Sequence, residues 1–360
     1  MRHPKQAKQL VDRFGRSVDY VRISITDRCD FRCVYCMSEE MTFLPRAQIL
    51  SLEEIFFLAK CFTELGVRKI RITGGEPLIR RNALELLQKI GDLPLLDELV
   101  MTTNGSQLAA SASQLKQAHV SRLNISLDTL DAKKFKELTR TGDLNIVLKG
   151  IHTAINTGFK RIKINAVILK NRNHHEVIDL VQFALDSGID ISFIEEMPLG
   201  FIASHNRAEA YYSSDQIRTD LAAKFTLEKI DETTAGPSDY YRIQGTATKV
   251  GFISPHSHNF CSTCNRVRLT AEGRLLLCLG NEHSIDLKTA LRSHPNDTDY
   301  IKQLMIDAMD IKPEKHEFNL NEQPIIMRHM NSTGDKIESP FFMSIKPFNT
   351  GLQHIQRNTY

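Results

Sequence analysis

The chain is predicted to be an α/β protein built from repeated strand–helix units. Six apolar, strand-like runs alternate with helix-period patterns through about residue 200. Glycine and polar signals recur at the C-terminal ends of those runs. Units of this kind imply right-handed parallel crossovers. Six strands suit either an open sheet or a partial barrel. In a barrel the C-terminal strand ends form the active face. In a doubly wound sheet, the polar signals would gather at the switch point instead.

Residues 20–26 (YVRISIT) give the first strand, which runs directly into a cysteine-rich loop. Residues 52–65 follow as a helix, with Ser51 as its cap and Glu54 at the capping-box position. The second strand, 67–73, ends at Gly74-Gly75-Glu76-Pro77, and the third, 99–103, ends at Asn104-Gly105. The fourth covers 123–127 and ends at Asp128; the fifth covers 161–169; the sixth covers 189–194 and leads into Glu195-Glu196-Met197-Pro198. Helical patterns occupy 133–138, 146–157 and 176–187. Beyond about residue 200 the pattern changes. One or two helices with linkers are expected over 209–237 and short strands around Gly245 and Gly251. Next comes a hairpin of 266–270 and 275–277 turning at Glu272-Gly273, and then a helix over 299–309. The resulting division is a barrel-like region 1–200, a C-terminal region 201–335 and a loosely packed extension 336–360.

The 360 residues suffice for a large core, and 41% hydrophobic with 25% charged content suits a soluble globular protein. A net charge of +3 lacks the basic bias of nucleic-acid binders, but leaves room for a local polyphosphate site. No run approaches the ~18 apolar residues of a membrane span. The N-terminus carries Arg2, Lys5, Lys8, Arg13 and Arg16 without the apolar stretch of a secretory signal. A basic organelle-targeting segment is the alternative, against which Asp12 and Asp19 count. Seven cysteines are too few for a disulfide-dense scaffold, and their clustering suits metal ligation in a reducing, cytoplasmic setting.

Six of those cysteines form two trios: Cys29, Cys33 and Cys36, and Cys261, Cys264 and Cys278. Three thiolates fall one short of a tetrahedral structural metal site. They also suit a cubane iron–sulfur cluster with one open iron, where a small molecule can bind. The alternatives are zinc sites, the first completed by His119 or Glu76 and the second by His256, His258 or His283. Arg266 and Arg268 share one strand face beside the second trio, and their guanidiniums suit an anionic or polyphosphate ligand. Arg22 and Arg71 interrupt apolar strands, and Lys163 lies in a third. Inward-facing cations are costly unless an anion compensates, whether a bound triphosphate or a buried Asp128, Glu195 or Glu196. Gly74-Gly75 permits close backbone approach, and Glu76 offers a carboxylate to a ligand ammonium.

The run Cys29-Asp30-Phe31-Arg32-Cys33-Val34-Tyr35-Cys36 resembles the signature of the radical S-adenosylmethionine superfamily, with Tyr35 at its aromatic position. Together with Arg71-Ile72-Thr73-Gly74-Gly75-Glu76-Pro77, Asn124-Ile125-Ser126-Leu127-Asp128 and Cys261-Ser262-Thr263-Cys264-Asn265-Arg266-Val267-Arg268, it makes residues 14–330 resemble the GTP 3′,8-cyclase family of molybdenum cofactor biosynthesis. The resemblance implies an incomplete (β/α)6, TIM-like barrel with a C-terminal iron–sulfur cluster domain. It implies two [4Fe–4S] clusters on the six cysteines and S-adenosylmethionine near Tyr35, Gly75, Glu76, Ser126 and Met197. GTP would lie near Arg22, Arg71, Thr102, Lys163, Arg266 and Arg268. A homodimer, an external electron donor and a downstream cyclic pyranopterin monophosphate synthase are further implications. The family ends in two glycines that aid catalysis; here the matching place is Gly334-Asp335, followed by 25 more residues. Lower turnover or a diverged paralogue is the resulting expectation. The rival functions are a radical-cofactor maturase of peptides or small molecules, and a zinc-stabilised scaffold without catalysis.

Overall fold

Strands at both ends of one long sheet come from the chain beyond residue 226. A computed structural model describes residues 9–200, 202, 205–232 and 236–319. Residues around Gly334-Asp335 and the extension 336–360 lie outside the described residues.

The first half runs β1 (Tyr20–Ser24), α1 (Leu52–Glu64), β2 (Lys69–Thr73), α2 (Ala83–Gly91), β3 (Glu98–Thr103), α3 (Leu108–Gln117) and β4 (Val120–Ser126). It continues with α4 (Ala132–Thr139), α5 (Leu144–Thr157), β5 (Arg161–Val167), α6 (Val177–Asp186) and β6 (Asp190–Ile194). The remainder comprises α7 (Arg207–Ala210), α8 (Ser214–Ala222), β7 (Leu227–Ile230), β8 (Asp239–Ile243) and β9 (Lys249–Ile253). It ends with β10 (Arg266–Leu269), β11 (Arg274–Leu276), β12 (Ser284–Asp286), α9 (Leu287–Ser293) and α10 (Thr298–Asp307).

The strand order is β12-β11-β10-β1-β2-β3-β4-β5-β6-β9-β8-β7. Strands β1 to β6 pair in sequence and in parallel, as the crossovers require. At one edge β10 joins β1 in parallel, and at the other β9 joins β6 in parallel. The sheet therefore runs unbroken across residue 200. This is a partial barrel extended at both edges, and the open-sheet alternative with a switch point is not what forms.

The two faces of this sheet differ in chemistry because side chains alternate along a strand. Val21, Ile23, Ile70, Ile72, Met101, Leu123, Ile125 and Ile164 are all fully buried in the core beneath the helices. Each such burial stabilises by about 1.5–3 kcal/mol. The alternate residues Arg22, Arg71, Thr102, Asn124, Ser126, Lys163 and Asn165 face the interior of the partial barrel. Helix α1 shows how sequence sets the outer layer. Ser51 Oγ accepts from the Glu54 amide at 3.1 Å, and Glu54 Oε2 accepts from the Ser51 amide at 2.7 Å. That capping box starts a helix that buries Ile55, Leu58, Ala59 and Phe62.

The expected strands are present with ends shifted by up to three residues. The region 209–237 differs more: two short helices precede β7, a strand that the helix-and-linker reading omits. The end residues of β7, Leu227 and Ile230, are half-buried and Glu228 and Lys229 are exposed, so no apolar alternation announces it.

Candidate active site

The loop after β1 carries the first trio. Backbone bonds from Arg32 to Thr139 and from Val34 to Leu138, both 2.9 Å, tie it to the end of α4. The Gly75 amide donates to the Thr26 carbonyl and the Glu76 amide to the Arg28 carbonyl, both at 2.8 Å. A Cβ at Gly75 would collide with that Arg28 carbonyl oxygen, so close approach of two backbones requires the glycine. Cys29 Sγ accepts from the Phe31 amide at 3.4 Å and from Asn104 Nδ2 at 3.7 Å. Burial pushes the Cys29 thiol up to about 12 and raises Cys33 as well. Buried thiols of this kind become thiolates when a cationic metal centre supplies the compensating charge. The buried Tyr35 donates to Asp128 Oδ2 at 2.6 Å, and Asp128 Oδ1 accepts from the Val167 amide at 2.8 Å. Burial lifts the Asp128 carboxyl to about 6.

These residues line a cavity of about 190 Å³, with Cys29, Cys33, Cys36, Gly75, Thr102, Ser126 and Met197 in its wall. It adjoins a second cavity of about 250 Å³ that holds Arg71, Lys163, Arg266, Cys261, Cys264 and Cys278. Arg22, Tyr35, Thr102, Ser126, Asp128, Met197 and Arg268 line both. The structure thus gathers the sequence-derived site residues into two abutting chambers, with one exception. Glu76 lines neither chamber. Its buried carboxylate accepts from the Thr103 hydroxyl at 2.9 Å, the Asn104 amide at 2.6 Å and the Leu78 amide at 3.0 Å. Burial raises it to about 7. These bonds brace the ends of β2 and β3.

Sheet register explains the cation wall. Arg22 pairs with Arg71 on one side and Arg268 on the other, while Tyr20 pairs with Lys69 and Arg266. Arg71 donates to the Tyr20 hydroxyl at 2.6 Å and to Thr102 Oγ1 at 3.0 Å; Lys163 donates to the Tyr240 hydroxyl at 3.0 Å. Burial lowers Arg22 to about 10, and burial with repulsion from Arg22 and Arg266 lowers Arg268 to about 9. Arg266 Nε is buried without a hydrogen-bond partner.

The carboxylates that might have neutralised these cations are engaged elsewhere. Asp128 serves Tyr35 and Val167. Glu195 accepts from the Ser214, His256 and Ser257 amides, and Glu196 takes His205 and Arg207. The wall therefore calls for an anion from outside, and guanidinium forks match phosphate oxygens in particular.

Three of the four imidazoles proposed to complete zinc sites, and the carboxylate, are also engaged. His119 pairs with Asp92, His258 with Asp215, and His256 with the Glu196 carbonyl oxygen. Among the described residues no three His, Cys, Asp or Glu side chains converge on one metal-ion position. Donors aimed at the sulfurs, by contrast, are present at both trios: Phe31 and Asn104 at the first, and Lys312 at the second, 3.7 Å from Cys264 Sγ. This donor set fits iron–sulfur ligation, where hydrogen bonds to sulfur are usual.

Sequence reasoning missed Lys69, Arg122, Asn165 and Phe260, which also line the larger chamber. Lys69 and Asn165 stand two residues from Arg71 and Lys163 on the same strands, so strand alternation carried the signal.

Residues 23–184 match the radical SAM superfamily, and residues 189–318 match the family described as Molybdenum Cofactor Synthesis C. The GTP 3′,8-cyclase of Saccharophagus degradans is 58% identical over 329 residues, 91% of this chain and 99% of that protein. The GTP 3′,8-cyclase of Pseudomonas savastanoi pv. phaseolicola is 59% identical over 326 residues, 90% of this chain and 98% of its own length. The crystal structure of Streptococcus suis SuiB bound to S-adenosylmethionine shares the fold, with a TM-score of 0.59, 16% identity, and coverage of 88% of this chain and 77% of that one. With both cysteine trios and the cation wall converging on one pair of chambers, the chain belongs to the GTP 3′,8-cyclase family of the radical SAM superfamily.

Proposed function

We infer that the chain is a GTP 3′,8-cyclase, converting GTP to (8S)-3′,8-cyclo-7,8-dihydroguanosine 5′-triphosphate in molybdenum cofactor biosynthesis. The observation that carries this reading is the row Arg268–Arg22–Arg71, which lacks a carboxylate partner among the described residues and spans the boundary between the two chambers. A triphosphate supplies the missing anion and leaves the nucleoside between the two cysteine trios.

Cys29, Cys33 and Cys36 would hold a [4Fe–4S] cluster that, given one electron from an external donor, would cleave S-adenosylmethionine to methionine and a 5′-deoxyadenosyl radical able to remove the ribose 3′ hydrogen. Gly75 and Met197 line the cofactor chamber, and Ser126 lies where the two chambers meet. Cys261, Cys264 and Cys278 would hold a second [4Fe–4S] cluster against the guanine. Arg22, Arg71, Lys163, Arg266 and Arg268 clamp the triphosphate, while Thr102, which faces both chambers, helps to fix the ribose between them. Orientation then brings C3′ and C8 toward the ~3–3.5 Å separation from which bonds form. An external electron donor, a homodimer, a downstream cyclic pyranopterin monophosphate synthase and a cytoplasmic setting that keeps the thiols reduced belong to the same reading.

Anaerobic incubation with S-adenosylmethionine, a reductant and GTP tests it. Mass analysis is expected to find 5′-deoxyadenosine and a cyclised nucleotide in GTP-dependent, near-equal amounts. Cofactor cleavage driven by a peptide and indifferent to GTP would transfer the chain to the maturase reading. Tightly bound zinc without iron would favour the scaffold.

A further inference from the structure

We propose that Lys312 is the built-in counter-charge of the second cysteine trio, a positioning residue that stabilises a negatively charged centre there and raises its reduction potential. The proposal rests on the reading of Cys261, Cys264 and Cys278 as cluster ligands.

Lys312 is 1% exposed, one of the largest fully buried side chains of the molecule. Its Nζ lies 3.0 Å from the Leu277 carbonyl oxygen and 3.7 Å from Cys264 Sγ. No ion pair joins it to a carboxylate among the described residues. An ammonium taken out of water costs several kcal/mol unless a charge of opposite sign meets it. One carbonyl dipole does not supply that charge, whereas a cysteinate bound to iron does.

Lys312 does not line the substrate chamber, whereas Arg266 and Arg268 do. Its charge is therefore directed at the sulfur side of the trio and not at the nucleotide. The approach is mechanically fixed. Lys312 closes the 3-10 turn Ala308–Ile311, its amide donating to the Met309 carbonyl at 3.2 Å. The next two carbonyls, of Pro313 and Glu314, accept from the Arg16 guanidinium at 2.7 Å, and that guanidinium also holds the Cys261 carbonyl at 2.7 Å. At Cys29 of the first trio, the donors on Sγ are instead a neutral amide and a neutral carboxamide.

Reduction adds one electron to a cluster, and a fixed positive charge beside it favours the reduced form. Hydrogen bonds to sulfur and local charge are established levers on cluster potential. The experiment is an EPR-monitored redox titration of the reconstituted full chain, unsubstituted and as Lys312→Met and Lys312→Gln. Lys312→Met is expected to shift the second centre's redox equilibrium about tenfold toward the oxidised form, about 59 mV more negative for one electron. The first centre, an internal control, stays in place. Lys312→Gln keeps a donor without the charge and is expected to shift in the same direction by less. Potentials unchanged in both variants overturn the proposal; if Lys312→Met fails to assemble, an unchanged Lys312→Gln potential overturns it alone. An EPR signal in the unsubstituted chain that Cys264→Ala leaves intact, with iron for one cluster only, would instead overturn the cluster reading and take the proposal with it.

Discussion

Arg22 of β1 and Arg268 of β10 occupy paired positions on neighbouring parallel strands, two guanidiniums side by side on the interior face of the sheet. Residues 246 positions apart, from opposite ends of the chain, thus meet as like charges. Adjacent half-buried cations destabilise the free protein and create the attraction for an anionic ligand. Function and stability are opposed at this pair. Arg268→Met is therefore expected to stabilise the nucleotide-free chain by roughly 1–3 kcal/mol, as replacement of buried charges by apolar groups often does. The same change is expected to weaken GTP binding tenfold or more, because a desolvated charge contact to the ligand is lost. Thermal melts with and without GTP, set beside a binding titration, read both effects. A variant that melts lower and binds GTP normally would contradict this account.

Tyr20 sits inside the same cluster and gives it a pH signature. Burial pushes the phenol up, but Arg71, Arg22 and Lys69 together pull it down from 10.0 to about 7. An acid whose folded pKa lies below its unfolded one contributes stability that is complete above the unfolded value and disappears as pH falls through the folded value. Ionisation of Tyr20 should thus add stability between about pH 7 and pH 10 and none below about 7. Chemical denaturation at pH 6 and pH 9 checks this: Tyr20→Phe loses the Arg71 hydrogen bond at both pH values, and is expected to fall further behind the unsubstituted chain at the higher pH than at the lower. A phenolate absorbance band appearing near neutral pH and missing in Tyr20→Phe is the companion spectroscopic readout.

Gly75 is required by space. Its added Cβ would strike the Arg28 carbonyl, one residue before Cys29. Gly75→Ala must therefore push the β2 end and the first cysteine loop apart. Iron bound after anaerobic reconstitution is expected to fall to about half, with the loss confined to the first trio. Retention of both spectral signals would show that the loop absorbs the methyl group without moving the sulfurs.

Much of this site was legible before any coordinates. Apolar, strand-like runs marked β1 to β6, and Arg22 and Arg71 stood out as cations inside apolar strands. The second trio and Arg266-Val267-Arg268 were visible as a local run. What escaped was non-local or lacked a local pattern. Nothing in residues 20–24 or 266–269 states that those strands pair, since parallel register is set by tertiary packing. The bonds that Glu76 accepts from Thr103 and Asn104, contributed by β3 and its end, are likewise not written in its motif. Lys312 and Arg16 are isolated cations in polar sequence, and only their burial distinguishes them from solvated ones.

Arg16 provides the last test. Of the N-terminal basic residues, for which organelle targeting was the alternative reading, Arg16 is tied into the C-terminal region. Its Nε bonds Asp12 Oδ2 at 2.6 Å, and Asp12 is 4% exposed. Its remaining donors reach the carbonyls of Cys261, Pro313 and Glu314, so one guanidinium joins the N-terminal arm to the second cysteine loop and to the segment after Lys312. Removing one member of a buried ion pair costs about 3–5 kcal/mol, because the partner charge is left stranded. Arg16→Ala is expected to destabilise the chain by that order and to release iron from the second trio before the first. Asp12→Asn breaks the ion pair but leaves Arg16 free to hold the three carbonyls, so it should lower stability while retaining both clusters. Urea unfolding combined with iron and sulfide analysis separates the two variants. Equal iron retention in both would mean that Arg16 stabilises the arm and not the cysteine loop.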